Sequence, residues 1–202
     1  MSAERKTARI GLLERLKAGP VICAEGYLFE LERRGYLQAG AFVPEVVLEF
    51  PEAVAQLHHE FVRAGSDVVQ ALTYYAHRDK LRMIGKEDVL ERLNREALRI
   101  ARTAAAGQEL LVAGDICNTN VYAPGDPATH KAVRAMFDEQ VGWAAEAGVD
   151  FVVAETFSFL GEALIALEAI RTAGLTSVVT LAVHKEGTLR DGHTPEDACK
   201  AL

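Results

Sequence analysis

Residues 147–157 read Ala147-Gly148-Val149-Asp150-Phe151-Val152-Val153-Ala154-Glu155-Thr156-Phe157. An Ala-Gly pair is followed, within three residues, by four apolar residues in a row, and a carboxylate stands directly after them. Glycine suits the left-handed position just past a helix end. The apolar run is too continuous for a strand with one wet face. It reads as a strand buried on both faces, as in a parallel sheet.

The same pattern recurs at Ala18-Gly19, Ala64-Gly65, Ala106-Gly107 and Ala173-Gly174. The runs that follow are VICAEG (21–26), DVVQALTYY (67–75), LLVAGDICN (110–118) and SVVTLAVH (177–184). With DFVVAETFS (150–158), five strands are expected, about 26 to 46 residues apart, a spacing that fits βα units. Apolar residues at helical spacing fill the intervals: Val54, Leu57, Phe61 and Val62; Leu90, Leu93, Ala97, Ile100, Ala101 and Ala104; Val133, Met136, Phe137, Val141 and Ala144; Leu164, Leu167 and Ile170. Strand alternating with helix predicts an α/β fold, with a parallel sheet and right-handed crossovers. Five parallel strands fit an open doubly wound sheet or five-eighths of a barrel. Thr194-Pro195-Glu196-Asp197 is a helix start, with Thr as cap, Pro in first position and acids in the first turn. It stands so near residue 202 that the chain is expected to be cut on its C-terminal side.

Composition narrows the partners. The chain has 202 residues, half of them hydrophobic and a quarter charged, which suits one soluble globular domain. A formal net charge of -7 disfavours nucleic acid, because phosphate binding needs clustered Lys and Arg. No apolar run reaches the roughly 20 residues of a membrane span. The cysteines Cys23, Cys117 and Cys199 are odd in number and far apart, so no disulfide framework is expected and a cytoplasmic location is.

In parallel α/β folds the site gathers at the C-terminal ends of the strands. Those ends carry Glu25-Gly26, Thr73-Tyr74-Tyr75, Asp115 with Cys117-Asn118, Glu155-Thr156, and His184. Glu155 stands out, as a ligand for a cationic group or a general base. One of Tyr74 and Tyr75 is expected to face the site and the other to turn away, because strand side chains alternate. Asp115 and Asn118 suit substrate binding and loop capping equally. The cysteines lack the spacing of a zinc site, so no metal ligand is assigned among them. His58 and His59 lie on a helix and are expected at the surface.

Several stretches resemble betaine–homocysteine S-methyltransferase and, more broadly, the homocysteine S-methyltransferase family. They are GLLERLKAGPVICAEGYLFELERRGYLQAG from Gly11, FPEAVAQLHHEFVRAGSDVVQALTYYAHRDKL from Phe50, and GVDFVVAETFSFLGEALIALEAI from Gly148. The resemblance implies a (β/α)8 TIM-barrel fold, of which residues 1–202 hold about the first five βα units as one homocysteine-binding domain. It implies transfer of a methyl group, from betaine or a related donor, to the thiolate of homocysteine, giving methionine. Zinc is the implied cofactor, since coordination converts a thiol to a thiolate. The implied partners are homocysteine and a methyl donor, with a homo-oligomer as a further expectation.

By the same resemblance, Glu155 matches a glutamate that holds the amino group of homocysteine. Tyr75 matches a tyrosine at the metal and methyl-donor site, and Phe42 falls where a donor-binding tryptophan is usual. Three departures accompany the match. Glu25 and Gly26 stand where the family usually has Asp and glycines. Thr156 stands where a tyrosine associated with betaine is expected. The family's zinc cysteines would fall after residue 202. Two rival readings follow: a non-catalytic remnant of the family, and an unrelated barrel enzyme using Glu155 and His184 as acid and base.

Overall fold

The computed structural model describes residues 10–38 and 44–202. Four strands, β1 (Val68–Gln70), β2 (Leu111–Cys117), β3 (Phe151–Phe157) and β4 (Thr176–Leu181), pair in parallel in the order β1-β2-β3-β4. Between them run α4 (Pro51–Arg63), which leads into β1, α6 (Leu90–Ala105), α7 (Pro127–Ala147) and α8 (Leu160–Thr172). Shorter helices are α1 (Leu12–Ala18), α2 (Tyr27–Arg33), α3 (Val46–Glu49), α5 (Arg78–Met83) and α9 (Pro195–Ala201). Strand order that never reverses, with right-handed crossovers, puts successive helices on one face of the sheet. A doubly wound sheet would need a reversal. The winding is therefore that of a (β/α)8 TIM-barrel-type fold, present here in its first units.

Side-chain alternation gives each face its own core. On the helix side, Val69, Val112, Ile116, Val152, Ala154 and Phe157 join the main cluster with α4, α6, α7 and α8. Gly114 belongs to this side: a Cβ there would lie 3.0 Å from the Ala144 Cβ, so the missing side chain lets α7 close on β2. On the concave side, Val68, Leu111, Ala113, Phe151 and Val153 pack with Leu12 of α1. Farther along the same face, Gln70, Asp115 and Glu155 replace the apolar residues.

Several expectations need correction. Among the described residues, the run 21–26 forms no strand; it contributes one parallel bridge, Cys23 to Val68. Its neighbour Ile22 is tied instead to the loop before β1: its amide donates to Asp67 Oδ2 at 2.8 Å and its carbonyl accepts from the Asp67 amide at 2.8 Å. The run 67–75 is a strand only to Gln70, since the Thr73 amide turns back onto the Ala71 carbonyl. Of the five Ala-Gly glycines, four take positive φ, whereas Gly19 is extended at φ 167°. Leu164, read as part of a buried stripe with Leu167 and Ile170, is exposed, and Ala163 and Ala166 join those two in the core.

His58 is fully buried rather than superficial. Its Nδ1 lies 3.2 Å from the Tyr27 hydroxyl, and the two rings meet edge-on at 5.0 Å. The start of α9 is as read: Thr194 Oγ1 accepts from the Asp197 amide at 3.1 Å. No described helix is long and apolar enough to cross a membrane.

Candidate active site

A cleft of about 510 Å³ opens at the C-terminal ends of the strands. Its floor holds Gln70, Asp115 and Glu155, from three successive strands, and Glu25 and Gly26 enter from the segment before α2. Its walls are aromatic and aliphatic, including Tyr27, Phe29, Leu72, Tyr74 and Tyr75. Among the described residues lining it there is no Lys, Arg or His. The cleft is an acidic floor inside an apolar wall.

A β-bulge aims the acidic residue. Ala154 pairs with Val179 and Phe157 with Leu181, so β3 spends one residue more than β4 over that stretch. An extra residue breaks the alternation. As a result Glu155 and Thr156 both line the cleft, while Phe157 returns to the helix side and meets Phe137 edge-on at 5.9 Å. Thr156 sits at φ 65°, and its amide donates to Thr180 Oγ1 at 2.9 Å. Tyr75 is likewise left-handed at φ 58°. Non-glycine residues in this region are costly, and such strain collects at functional sites.

The turn at Tyr75 overrides the expected alternation. Tyr74 and Tyr75 both line the cleft, with ring centroids 4.4 Å apart, because β1 has already ended. Lys80 Nζ lies 4.3 Å from the centre of the Tyr75 ring. Burial raises the Tyr74 hydroxyl well above its ordinary value, so it remains a protonated donor.

Gln70 Nε2 donates to Glu155 Oε1 at 2.9 Å. Asp115 lies in the same buried group, and its carboxyl is raised far above the usual range, by burial first and then by the negative charge of Glu155. Glu155 is itself raised by burial, and lowered by the hydrogen bonds it receives from Asp115 and Gln70. Two adjacent buried carboxyls cannot both ionise cheaply. Asp115, the more deeply buried of the two, is the more strongly raised.

Other residues fall elsewhere. Asn118 does not line the cleft; its Nδ2 donates to Asn120 Oδ1 at 3.2 Å, which is the loop role. His184 does not line it either, and its amide donates to the Thr188 carbonyl at 3.0 Å. Phe42 lies outside the described residues. Cys117 is buried, with its Sγ accepting from the Tyr75 amide at 3.1 Å, and burial followed by Asp115 raises its thiol. Among the described residues, no group of three or more His, Cys, Asp or Glu could hold a metal ion. The zinc that the family resemblance implies therefore does not fit these residues.

Gln70 was not singled out from sequence. Its signal was there, since it interrupts an apolar run. Glu162 also went unnoticed, because it hides inside an amphipathic helix. It is buried, and it accepts from the amide and Oγ1 of Thr119, each at 2.7 Å, fixing the loop after β2.

Comparison with known proteins identifies the family. The profile of the family described as Homocysteine S-methyltransferase matches residues 22–202. Betaine–homocysteine S-methyltransferase 1 of Rattus norvegicus is 41% identical over 98% of this chain and 49% of its own length. The S-methylmethionine–homocysteine S-methyltransferase of the same species is 40% identical over 95% of this chain and 51% of its own. The chain thus spans about half the length of these relatives. The crystal structure of the homocysteine methyltransferase MmuM from Escherichia coli, in its metallated form, superposes with a TM-score of 0.77 at 23% identity. That match covers 94% of this chain and 73% of MmuM, and it shows a shared fold. With a family profile matched over residues 22–202 and relatives about 40% identical along nearly all of the chain, the conclusion is direct: this chain belongs to the homocysteine S-methyltransferase family.

Proposed function

We propose that the chain is the homocysteine-binding portion of an S-methyltransferase. The reaction is zinc-dependent transfer of a methyl group, from betaine or a related onium donor, to the thiolate of homocysteine, giving methionine. Betaine and S-methylmethionine are the donors named for relatives. The described residues do not supply the zinc site, and none of the roles below runs through the metal.

Glu155 receives the substrate's ammonium. The supporting observation is its carboxylate on the floor of an acidic, aromatic-walled cleft that is lined by no described basic residue. An ammonium held there gains a charge-assisted hydrogen bond in a site largely withdrawn from water. Tyr75 faces the methyl donor, Phe42 and Thr156 take that role by their match to the family pattern, and Glu25 and Gly26 border the substrate. An onium donor gains from aromatic faces, and Tyr74 and Tyr75 supply them. Methyl transfer is a displacement, so alignment matters more than acid–base help.

The test is titration of homocysteine into the wild-type chain and Glu155→Gln by calorimetry. The variant keeps size and removes charge. Binding is expected to weaken by about 10- to 100-fold, as for loss of one hydrogen bond to a charged group. Equal affinities would remove Glu155 from the site. A large fall in Tm would mark it as a structural partner.

A further inference from the structure

We propose that Gln70 and Asp115 turn Glu155 into a three-acceptor socket that selects a primary ammonium over a quaternary one. The inference rests on the reading that Glu155 receives the substrate's amine, and it adds two specificity-determining residues.

Three observations carry it. Gln70 and Asp115 are each only 4% exposed, and both line the cleft floor beside Glu155. Gln70 spends its Nε2 on Glu155, which leaves its carbonyl oxygen turned away from that bond. Gln70 Oε1 and Asp115 Oδ1 are both buried, and neither has a hydrogen-bond partner among the described residues. A buried acceptor without a donor is unfavourable. Two of them beside one carboxylate, at a cleft floor, call for a ligand with several N–H donors.

A primary ammonium has three such donors and one positive charge. Glu155 supplies the countercharge, and the two oxygens take the remaining N–H groups. A trimethylammonium group has no N–H. Placed here it would leave both oxygens unpaired and press methyl groups on them. The socket therefore sorts the two nitrogen types that this family's reaction brings together. The amino acid seats its nitrogen on the floor, and the onium donor is left to the aromatic wall.

Burial and the neighbouring Glu155 raise the Asp115 carboxyl, which favours its neutral form, and the buried Oδ1 is then a carbonyl-type acceptor. Asparagine has the same shape and reproduces both functions, with an N–H toward Glu155 and an oxygen toward the ligand. Alanine reproduces neither.

The test uses calorimetric titration of the full chain with three probes: homocysteine, its des-amino analogue 4-mercaptobutanoate, and N,N,N-trimethylhomocysteine. Wild type should bind homocysteine most tightly. Asp115→Ala should weaken homocysteine by about 10-fold or more, the loss of one hydrogen bond to a charged donor, and leave 4-mercaptobutanoate unchanged. Asp115→Asn should restore homocysteine binding to within a few-fold of wild type. The preference for homocysteine over its trimethyl form should shrink in Asp115→Ala and in Gln70→Met. If wild type prefers homocysteine to 4-mercaptobutanoate but Asp115→Ala and Gln70→Met keep that preference in full, the socket is wrong and the role of Glu155 stands. If wild type binds homocysteine no better than 4-mercaptobutanoate, both fall. If Asp115→Asn loses as much as Asp115→Ala, Asp115 acts as a charge and the neutral-acceptor assignment is overturned.

Discussion

Gln70 on β1 and Glu155 on β3 are joined by a 2.9 Å hydrogen bond although β2 lies between their strands. Neighbouring strands are about 4.8 Å apart, so two strand spacings separate the backbones. Long side chains rising from a concave face can close that gap, and curvature toward the cleft brings their tips together. The bond also stabilises the charged form of Glu155. Gln70→Met removes the donor and keeps the bulk. It should destabilise the fold by about 1.5–3 kcal/mol, the usual worth of a hydrogen bond to a charged group. For a chain of this size each kcal/mol is about 2–4 °C in Tm. Calorimetric melts at neutral pH check this, and an unchanged Tm would show that Glu155 finds another donor.

A second prediction concerns acid. His58 is held neutral down to about pH 3 by burial, and then by His59, while His77 is held down to about 4 by burial, and then by Lys80. Both values are below the ordinary 6.5 of a histidine. The unfolded chain therefore binds more protons than the folded one between about 6.5 and those values, and stability falls as pH falls through that window. Each group contributes a slope of at most about 1.4 kcal/mol per pH unit. His58→Gln, which cannot titrate, should flatten the decline of Tm between pH 6.5 and 4. Raised acids have the opposite sign. Asp115 and Glu162 are protonated more readily when folded, so the stability they contribute is full below the ordinary carboxylate range and is lost as pH rises. A wild-type Tm that climbs steadily on acidification would show that the acids outweigh the histidines.

What the sequence discloses, and what it withholds, follows from range. The strands β2, β3 and β4 were readable because continuous apolar runs between Ala-Gly stops are a local signal. Glu155 was readable because it follows its run directly. The bulge that swings Thr156 into the cleft depends on register with β4, some twenty residues away. The turn that brings both Tyr74 and Tyr75 to one side depends on Thr73 Oγ1 reaching the Asp115 carbonyl at 2.7 Å. His58 looked superficial because a polar pair on a helix usually is, and only the packing of Tyr27 against it covers one member and leaves the other outside. Contacts between distant segments leave little mark on either segment alone.

Thr156 offers a direct measure of strain. A β-branched residue at φ 65° is held there by the register shift in β3 and by the bond of its amide to Thr180 Oγ1. Glycine relieves the backbone and keeps that amide. Left-handed strain is of order 1–3 kcal/mol, and glycine's extra freedom in the unfolded chain takes back about 1. Thr156→Gly should therefore raise Tm by a few degrees. A fall in Tm would mean that the side chain, and not the backbone, carries the stability at this position.

The cysteines give the last prediction. Cys199 is exposed on α9, Cys23 is half-buried at the bridge to β1, and Cys117 is buried at the end of β2. Burial, then Glu25 and Asp67, raises the Cys23 thiol; burial, then Asp115, raises that of Cys117. A thiolate is the form that attacks a disulfide reagent or binds zinc. Creating one at Cys117 would set a new negative charge beside Asp115 and Glu155, in a space where burial already disfavours carboxylate charge. An aromatic disulfide reagent should therefore label Cys199 fast and Cys23 slowly, and should label Cys117 only when the chain unfolds. Added zinc should leave that order and those rates unchanged, because the described residues offer no set of three donors to hold it. Mass spectrometry of partially labelled protein reads each site separately. Zinc-dependent protection of Cys23 and Cys117 together, with a matching metal stoichiometry, would overturn this and make the two cysteines a metal site.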